Sequence, residues 1–382
     1  MRTIRGMVYT DRMCFEPGEI VIEGERIEKV ERCEAGALTE QEANTHILPG
    51  LVDIHFHGCA GYDFCDGTAE AVRAIASYEM THGTTTICPA TMTLSEEQLL
   101  KICAAGAAAA ETETLPEDIP VKDVLRGIYL EGPFISMEKK GAQNPAYIHK
   151  PDLAMLRRLQ QAAKGMIRMA VVAPEEEGAM ELIREGAGEF RFSIAHTCAD
   201  YETAKAAMEA GAHHVTHLYN AMPPFTHRKP GVIGAAAENE KTRVELICDG
   251  IHIHPCVVKS TFKLFGAERM VLISDSMMAT GMEDGEYALG GQPVIVKGNR
   301  ALLKDGTIAG SATNLYDCMR TAIQMGVPKE EAVRAATRNP AEAVGLEAEC
   351  GVLQPGRRAD ILIADGNFAL LEVIKSGRAV KG

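Results

Sequence analysis

Eight short apolar runs, each halting at a polar residue and each followed by a stretch of helical spacing, constrain this chain more than any other feature. They read LPGLVDIHFH, GTTTICPAT, GIYLEGPF, GMIRMAVVAP, FSIAHT, HHVTHLYNA, RVELICDGIH and MVLISDSM. The segments between them, such as TAEAVRAIASYEMTH, SEEQLLKICAAGAAAAETE and DYETAKAAMEAGA, are rich in Ala and Glu and carry the helical period. Ser95 is expected to cap a helix, and Gly83 and Gly211 stand where helices should stop. Strands alternating with helices in this number predict a closed (β/α)8 barrel over residues 48–345 rather than an open doubly wound sheet. No G-x-G-x-x-G follows the first run, which also argues against a dinucleotide fold.

The ends of the chain have a different rhythm. Residues 1–47 and 346–382 alternate as short strands with turns, so the two termini are expected to pair into one small β-sandwich beside the barrel. Residues 285–310 read as a further hairpin after the eighth strand.

In a barrel of this kind the active site lies at the C-terminal ends of the strands, so functional polar residues should end their runs. His55 and His57 end the first; because successive side chains of a strand point to opposite faces, the two imidazoles share one. Glu131 ends the third run, His196 the fifth, His217 the sixth, His252 the seventh and Asp275 the eighth. Each alone reads more readily as a satisfied core histidine or a helix-capping carboxylate than as a functional group. Converging on one rim, they form a set of imidazoles and carboxylates that borderline divalent metals accept. His46, His82, His149, His213 and His214 lie elsewhere in their elements and read as structural, while His227 and His254 are candidates for supporting positions.

The charge balance excludes other classes. With 39 basic against 53 acidic residues, net −14, the chain has no basic stripe to follow a phosphate backbone, so no nucleic acid is expected. Its N-terminal residues contain no apolar signal-like stretch, and no run is long enough to span a bilayer, so a cytoplasmic protein without membrane contact is expected. Eleven scattered cysteines without a C-x-x-C pair read as reduced thiols, with Cys59 and Cys65 as bystanders to the histidines.

LPGLVDIHFHG, YLEGPFI, AHT, THLYNAMPPFTHRKPGVIGAA, CDGIHIHP, ISDSMMATGMEDGEYALGG and GTIAGSATNL together resemble the N-acetylglucosamine-6-phosphate deacetylases, a branch of the amidohydrolase superfamily. The resemblance extends over nearly the whole chain. It implies a metal-dependent hydrolase, a homodimer, in which Glu131, His196 and His217 hold the principal metal and Asp275 is the catalytic acid/base. His252 would stabilise the oxyanion. Some members lack the first-strand histidines and use one metal; a chain that keeps His55 and His57 resembles the two-metal kind, with Zn, Fe, Mn or Co as the ion. Contacts to the sugar phosphate would come from Ala142, Gln143, Asn220, Ala221, Arg228, Asp249, Gly250, Ile251, His252, Ile308, Ala309 and Gly310. The family usually carries histidine where this chain has Gln143, which hydrogen-bonds but cannot become cationic.

Three alternatives are weighed against this reading. Cyclic amidases of the superfamily bridge their metals with a carboxylated lysine ending the fourth strand, and MIRMAVVAPE has no lysine there. A deacetylase for a galactosamine- or mannosamine-type substrate would share every motif. A catalytically silent barrel would be expected to have lost ligands, and this chain keeps them all.

Overall fold

The computed structural model describes residues 1–381. Its eight barrel strands are Leu51–Asp53, Thr84–Ile87, Ile128–Leu130, Ile167–Val172, Phe192–Ile194, His214–Val215, Arg243–Ile247 and Met270–Ile273. The third to the eighth form one parallel sheet in chain order, and the first pairs in parallel with the second. Bridges from Ile87 to Leu125 and from Ala90 to Tyr129 join the second strand to the third. The ring closes where Asp275 N–H donates to His55 O (3.0 Å) and His57 N–H donates to Ser276 O (2.7 Å). The eight-strand expectation therefore holds. Parallel strands covered on both faces must be apolar throughout, and all four residues of Met270–Ile273 are buried.

Helices pack outside the ring for reasons visible locally. Ser95 accepts from Gln98 N–H while the Gln98 side chain reaches back to the Ser95 backbone, a reciprocal cap that starts the helix Glu96–Thr112. Gly211 ends the helix Tyr201–Ala210 at φ +127, a conformation that suits a residue without Cβ.

The two termini pair with each other, in one continuous seven-stranded sheet where two stacked sheets of a sandwich were expected, ordered Arg378–Lys381, Leu370–Lys375, Ile361–Asp365, Thr45–Pro49, Arg2–Tyr9, Phe15–Glu23, Arg26–Arg32. Ile20, Ile22, Ile47, Ile361 and Ile374 give this sheet its own core. The chain passes from sheet to barrel at Gly50, where a Cβ would lie 2.1 Å from Thr85 Oγ1, so only glycine fits. The segment after the eighth strand is larger than a hairpin: Gly285–Leu289, Gln292–Lys297, Arg300–Leu303 and Ile308–Ser311 form a four-stranded antiparallel sheet. Its last strand is fastened to the barrel rim by Ser311 N–H donating to Asp275 O (2.7 Å).

Candidate active site

A cavity of about 400 Å³ opens at the C-terminal ends of the strands. His57, Glu131, His196, His217, His252 and Asp275 line it. His55 is buried beneath them with no exposed surface. Two clusters, His55–His57–Glu131 and Glu131–His196–His217, each bring their ligand atoms within 4.8 Å of one another, and Glu131 belongs to both. Its Oε1 lies 2.9 Å from His196 Nε2 and 3.0 Å from His217 Nε2. Its Oε2 lies 3.3 Å from His57 Nε2. Asp275 Oδ1 completes the far side, 3.3 Å from His57 Nε2.

The backbone is bent to present these groups. His196, His217 and Asp275 have φ of +43°, +30° and +49°. Left-handed conformations of non-glycine residues are costly and collect at functional sites. Gly310 closes this corner, since a Cβ there would stand 3.0 Å from Asp275 O.

The donor set fits a divalent cation. His196 donates through Nδ1 to Lys139 O (2.8 Å), and His55 donates through Nδ1 to Glu245 Oε2 (2.8 Å). An Nδ1–H committed in this way leaves Nε2 to face inward, the usual arrangement of a metal-ligating histidine. His55 Nε2, fully buried, makes no hydrogen bond and stands 3.6 Å from Glu131 Oε1 and 4.0 Å from Asp275 Oδ1. Nitrogen lone pairs facing carboxylate oxygens repel unless a proton or a metal ion lies between them. Burial alone would lower His57, yet Asp275 and Glu131 raise it to about 10. Burial would raise the Glu131 carboxyl, but the surrounding imidazoles of His196, His217, His55 and His57 hold it well below its ordinary value. The pocket therefore favours positive charge at its centre.

Other expected residues divide into two groups. Ala142, Gln143, Asn220, Ala221, Ile308 and Gly310 line the cavity. Asp249, Gly250, Ile251 and Ala309 do not, and Asp249 is engaged within its own turn: its Oδ1 accepts the N–H groups of Ile251 and His252 (2.9 Å each). Its Oδ2 accepts from His252 Nδ1 (2.7 Å). Arg228 is exposed on its loop and away from the cavity of its own chain.

Sequence reasoning missed three contributors. Glu245, fully buried, accepts from His55 Nδ1 and from His214 Nε2 (2.9 Å), so His214 supports the site through it. A charged residue inside the apolar run RVELIC was the available signal. Tyr129 stacks on His55 with ring centroids 4.5 Å apart. Lys139 is the one lysine or arginine lining the cavity among the described residues.

Comparison with known proteins agrees with this geometry. The model of the amidohydrolase family matches residues 46–380. An N-acetylglucosamine-6-phosphate deacetylase of Bacillus subtilis is 37% identical over 88% of this chain and 84% of its own length. An N-acetylgalactosamine-6-phosphate deacetylase of Escherichia coli O157:H7 is 30% identical over 90% of this chain and 89% of its own. Among solved structures, a mutant N-acetyl-D-glucosamine-6-phosphate deacetylase from Mycobacterium smegmatis, in complex with N-acetyl-D-glucosamine-6-phosphate, superposes with a TM-score of 0.91. It is 32% identical and covers 100% of this chain and 99% of its own. With that fold, and with two clusters sharing one carboxylate at the strand ends, the chain belongs to the amidohydrolase family, in its N-acetylglucosamine-6-phosphate deacetylase branch.

Proposed function

We propose that the chain hydrolyses the acetamide of N-acetylglucosamine 6-phosphate, giving glucosamine 6-phosphate and acetate in amino sugar catabolism and cell-wall recycling. The observation that carries this reading is Asp275, held beside the two histidine–glutamate clusters and facing a cavity of sugar-phosphate size. The alternative is a related N-acetyl amino sugar phosphate of galactosamine or mannosamine type. The enzyme works in the cytoplasm as a homodimer, with one or two divalent ions per subunit from among Zn, Fe, Mn and Co.

The amidohydrolase family is metal-dependent, and an ion held by Glu131, His196 and His217, with a second at His55 and His57, would lower the pKa of a bound water from about 16 to near 7. Asp275 takes the proton of the attacking water and delivers it to the departing nitrogen, which would otherwise leave as a poor amine anion. Its carboxyl suits the accepting step: burial would raise it, but His57 and His55 hold it below its ordinary value. His252 meets the acetyl oxygen. A neutral ring donating Nδ1–H to Asp249 would offer that oxygen only a lone pair. Burial lowers its pKa, but the bond to Asp249 outweighs this and raises it, which favours a second proton, on Nε2. Removing one oxyanion donor of this kind costs about 3 to 4 kcal/mol of transition-state stabilisation.

For the phosphate, Lys139 in the cavity and Arg228 outside it are rival cations, and an arginine fork matches phosphate geometry. Arg228 reaches a cavity only if its loop crosses to the partner subunit. The test is acetate release from a panel of N-acetyl sugars, with and without the 6-phosphate, on protein of measured metal content. The expected result is fastest release from N-acetylglucosamine 6-phosphate; release of ammonia, or a preference for a galactosamine or mannosamine substrate, overturns it. Arg228→Ala should raise KM for the phosphorylated sugar far more than for the unphosphorylated one. In mixtures with Asp275→Asn subunits, hybrids should regain about one site per dimer; no recovery, although both variants fold and mix, leaves the role to Lys139.

A further inference from the structure

Gln143, a sugar-phosphate contact by resemblance, lines the cavity, yet its amide is already used at both ends. It is 2% exposed. Its Oε1 accepts Thr93 N–H (2.7 Å) and its Nε2 donates to Glu131 Oε2 (2.6 Å), with Met92 Sδ 3.7 Å from the same nitrogen. The backbone is held too: Gln143 N–H donates to Lys140 O (2.9 Å), and the preceding carbonyl, of Ala142, accepts from the Gln292 side chain. The amide cannot turn over, because a flipped group would set NH₂ against the Thr93 N–H, donor against donor.

This contact makes the two oxygens of Glu131 unequal. Oε1 faces His196 and His217 at 2.9 and 3.0 Å, with His55 Nε2 farther off at 3.6 Å, and accepts nothing from Gln143. Oε2 faces His57 but already receives a short N–H from Gln143, which takes one of its lone pairs and part of its negative charge. We infer that Gln143 is a positioning residue that ranks the two metal positions: it orients Glu131 so that Oε1 serves the His196–His217 position, and by occupying Oε2 it weakens the His55–His57 position. The inference rests on the proposed function only in taking both clusters to hold divalent ions. Gln143 thus acts on the metal centre rather than on the sugar.

The experiment is a calorimetric titration of metal-free protein with Co²⁺, with elemental analysis of the dialysed end points. Wild-type protein should bind two ions in steps of different affinity. Gln143→Met keeps the length of the side chain and removes the donor, so its two dissociation constants should converge. Outer-shell partners of metal ligands are worth about 10- to 100-fold in affinity, which sets the expected narrowing of their ratio. Gln143→Asn, which draws the amide back by one methylene, should narrow the ratio as well and covers the case in which the methionine variant does not fold. A ratio that stays the same, whether both constants move together or neither moves, overturns the inference. Failure of the wild-type protein to bind any divalent ion is a different result and overturns the proposed function instead.

Discussion

Two buried glutamates in this barrel are held in opposite states. Glu131, 2% exposed at the end of the third strand, is kept well below the usual carboxyl range because four histidines outweigh the cost of burial. Glu79, with no exposed surface on the helix Ala69–Thr81, is pushed up to about 8 by burial and by neighbouring Asp53, which outweigh the smaller lowering effects of Thr84 and Cys59. Both side chains are buried, although only Glu131 lines the cavity. What differs is the company: donors that favour the anion at the rim, a second carboxyl in the wall. Burial therefore does not decide whether a carboxyl is a charge or a neutral filler; its neighbours do, and the barrel concentrates cationic neighbours where the chemistry is.

The largest test of that contrast is Glu131→Gln. It removes the one anion shared by both clusters, so bound divalent metal should fall by more than the about 100-fold that loss of an outer-shell partner costs, and deacetylation should fall to background. Elemental analysis after dialysis measures the first effect and acetate release the second. A variant that keeps its metal would mean that the histidines alone hold the ion and that Glu131 is no more than another buried acid.

Asp275→Asn is the next largest. The amide keeps the shape of the side chain but neither accepts the proton of water nor returns it to nitrogen, so kcat should drop by about 10² to 10⁴ while metal content and KM stay near wild type. A near-normal kcat would move the proton transfers to another group on the rim.

How much of this was legible in the sequence depends on how local each cause is. The barrel was readable because strand and helix periods are local, and so was the rim, because each ligand ends a run. Glu245 was not singled out: what makes it functional is His55, 190 residues away in the chain, and only the oddity of a charge in an apolar strand marked it. Gln143 was read as a sugar contact because nothing near it in sequence reveals Thr93 as the partner of its carbonyl. The segment 285–310 showed its turns, but the pairing that fastens Ser311 to Asp275 is a tertiary event. Glu79 could have been suspected, since it falls on the buried stripe Val72, Ile75, Ala76, Met80 of its helix, where a charged residue breaks the pattern.

Glu79→Gln leaves the chemistry untouched, acts on stability alone and probes the other half of the contrast. The folded protein holds a proton on Glu79 up to a pH of about 8, whereas an ordinary glutamate releases it near 4.5. Between those values the unfolded chain has lost a proton that the folded one retains, so stability is fully present below 4.5 and declines as pH rises towards 8. The slope is about 1.4 kcal/mol per pH unit within that window. Glutamine is neutral at every pH and removes this slope. Asp53, itself raised to about 7 chiefly by burial, titrates in both proteins, and so does the metal centre; the difference between wild type and variant reports Glu79 together with its coupling to Asp53. The urea midpoints of the two proteins, measured at pH 5, 6, 7 and 8, should therefore diverge in favour of the variant as pH rises and stop diverging near 8. Parallel curves would mean that Glu79 is ionised in the folded protein, and the wall of the barrel would then stabilise a buried anion as the rim does, with a partner that remains to be found.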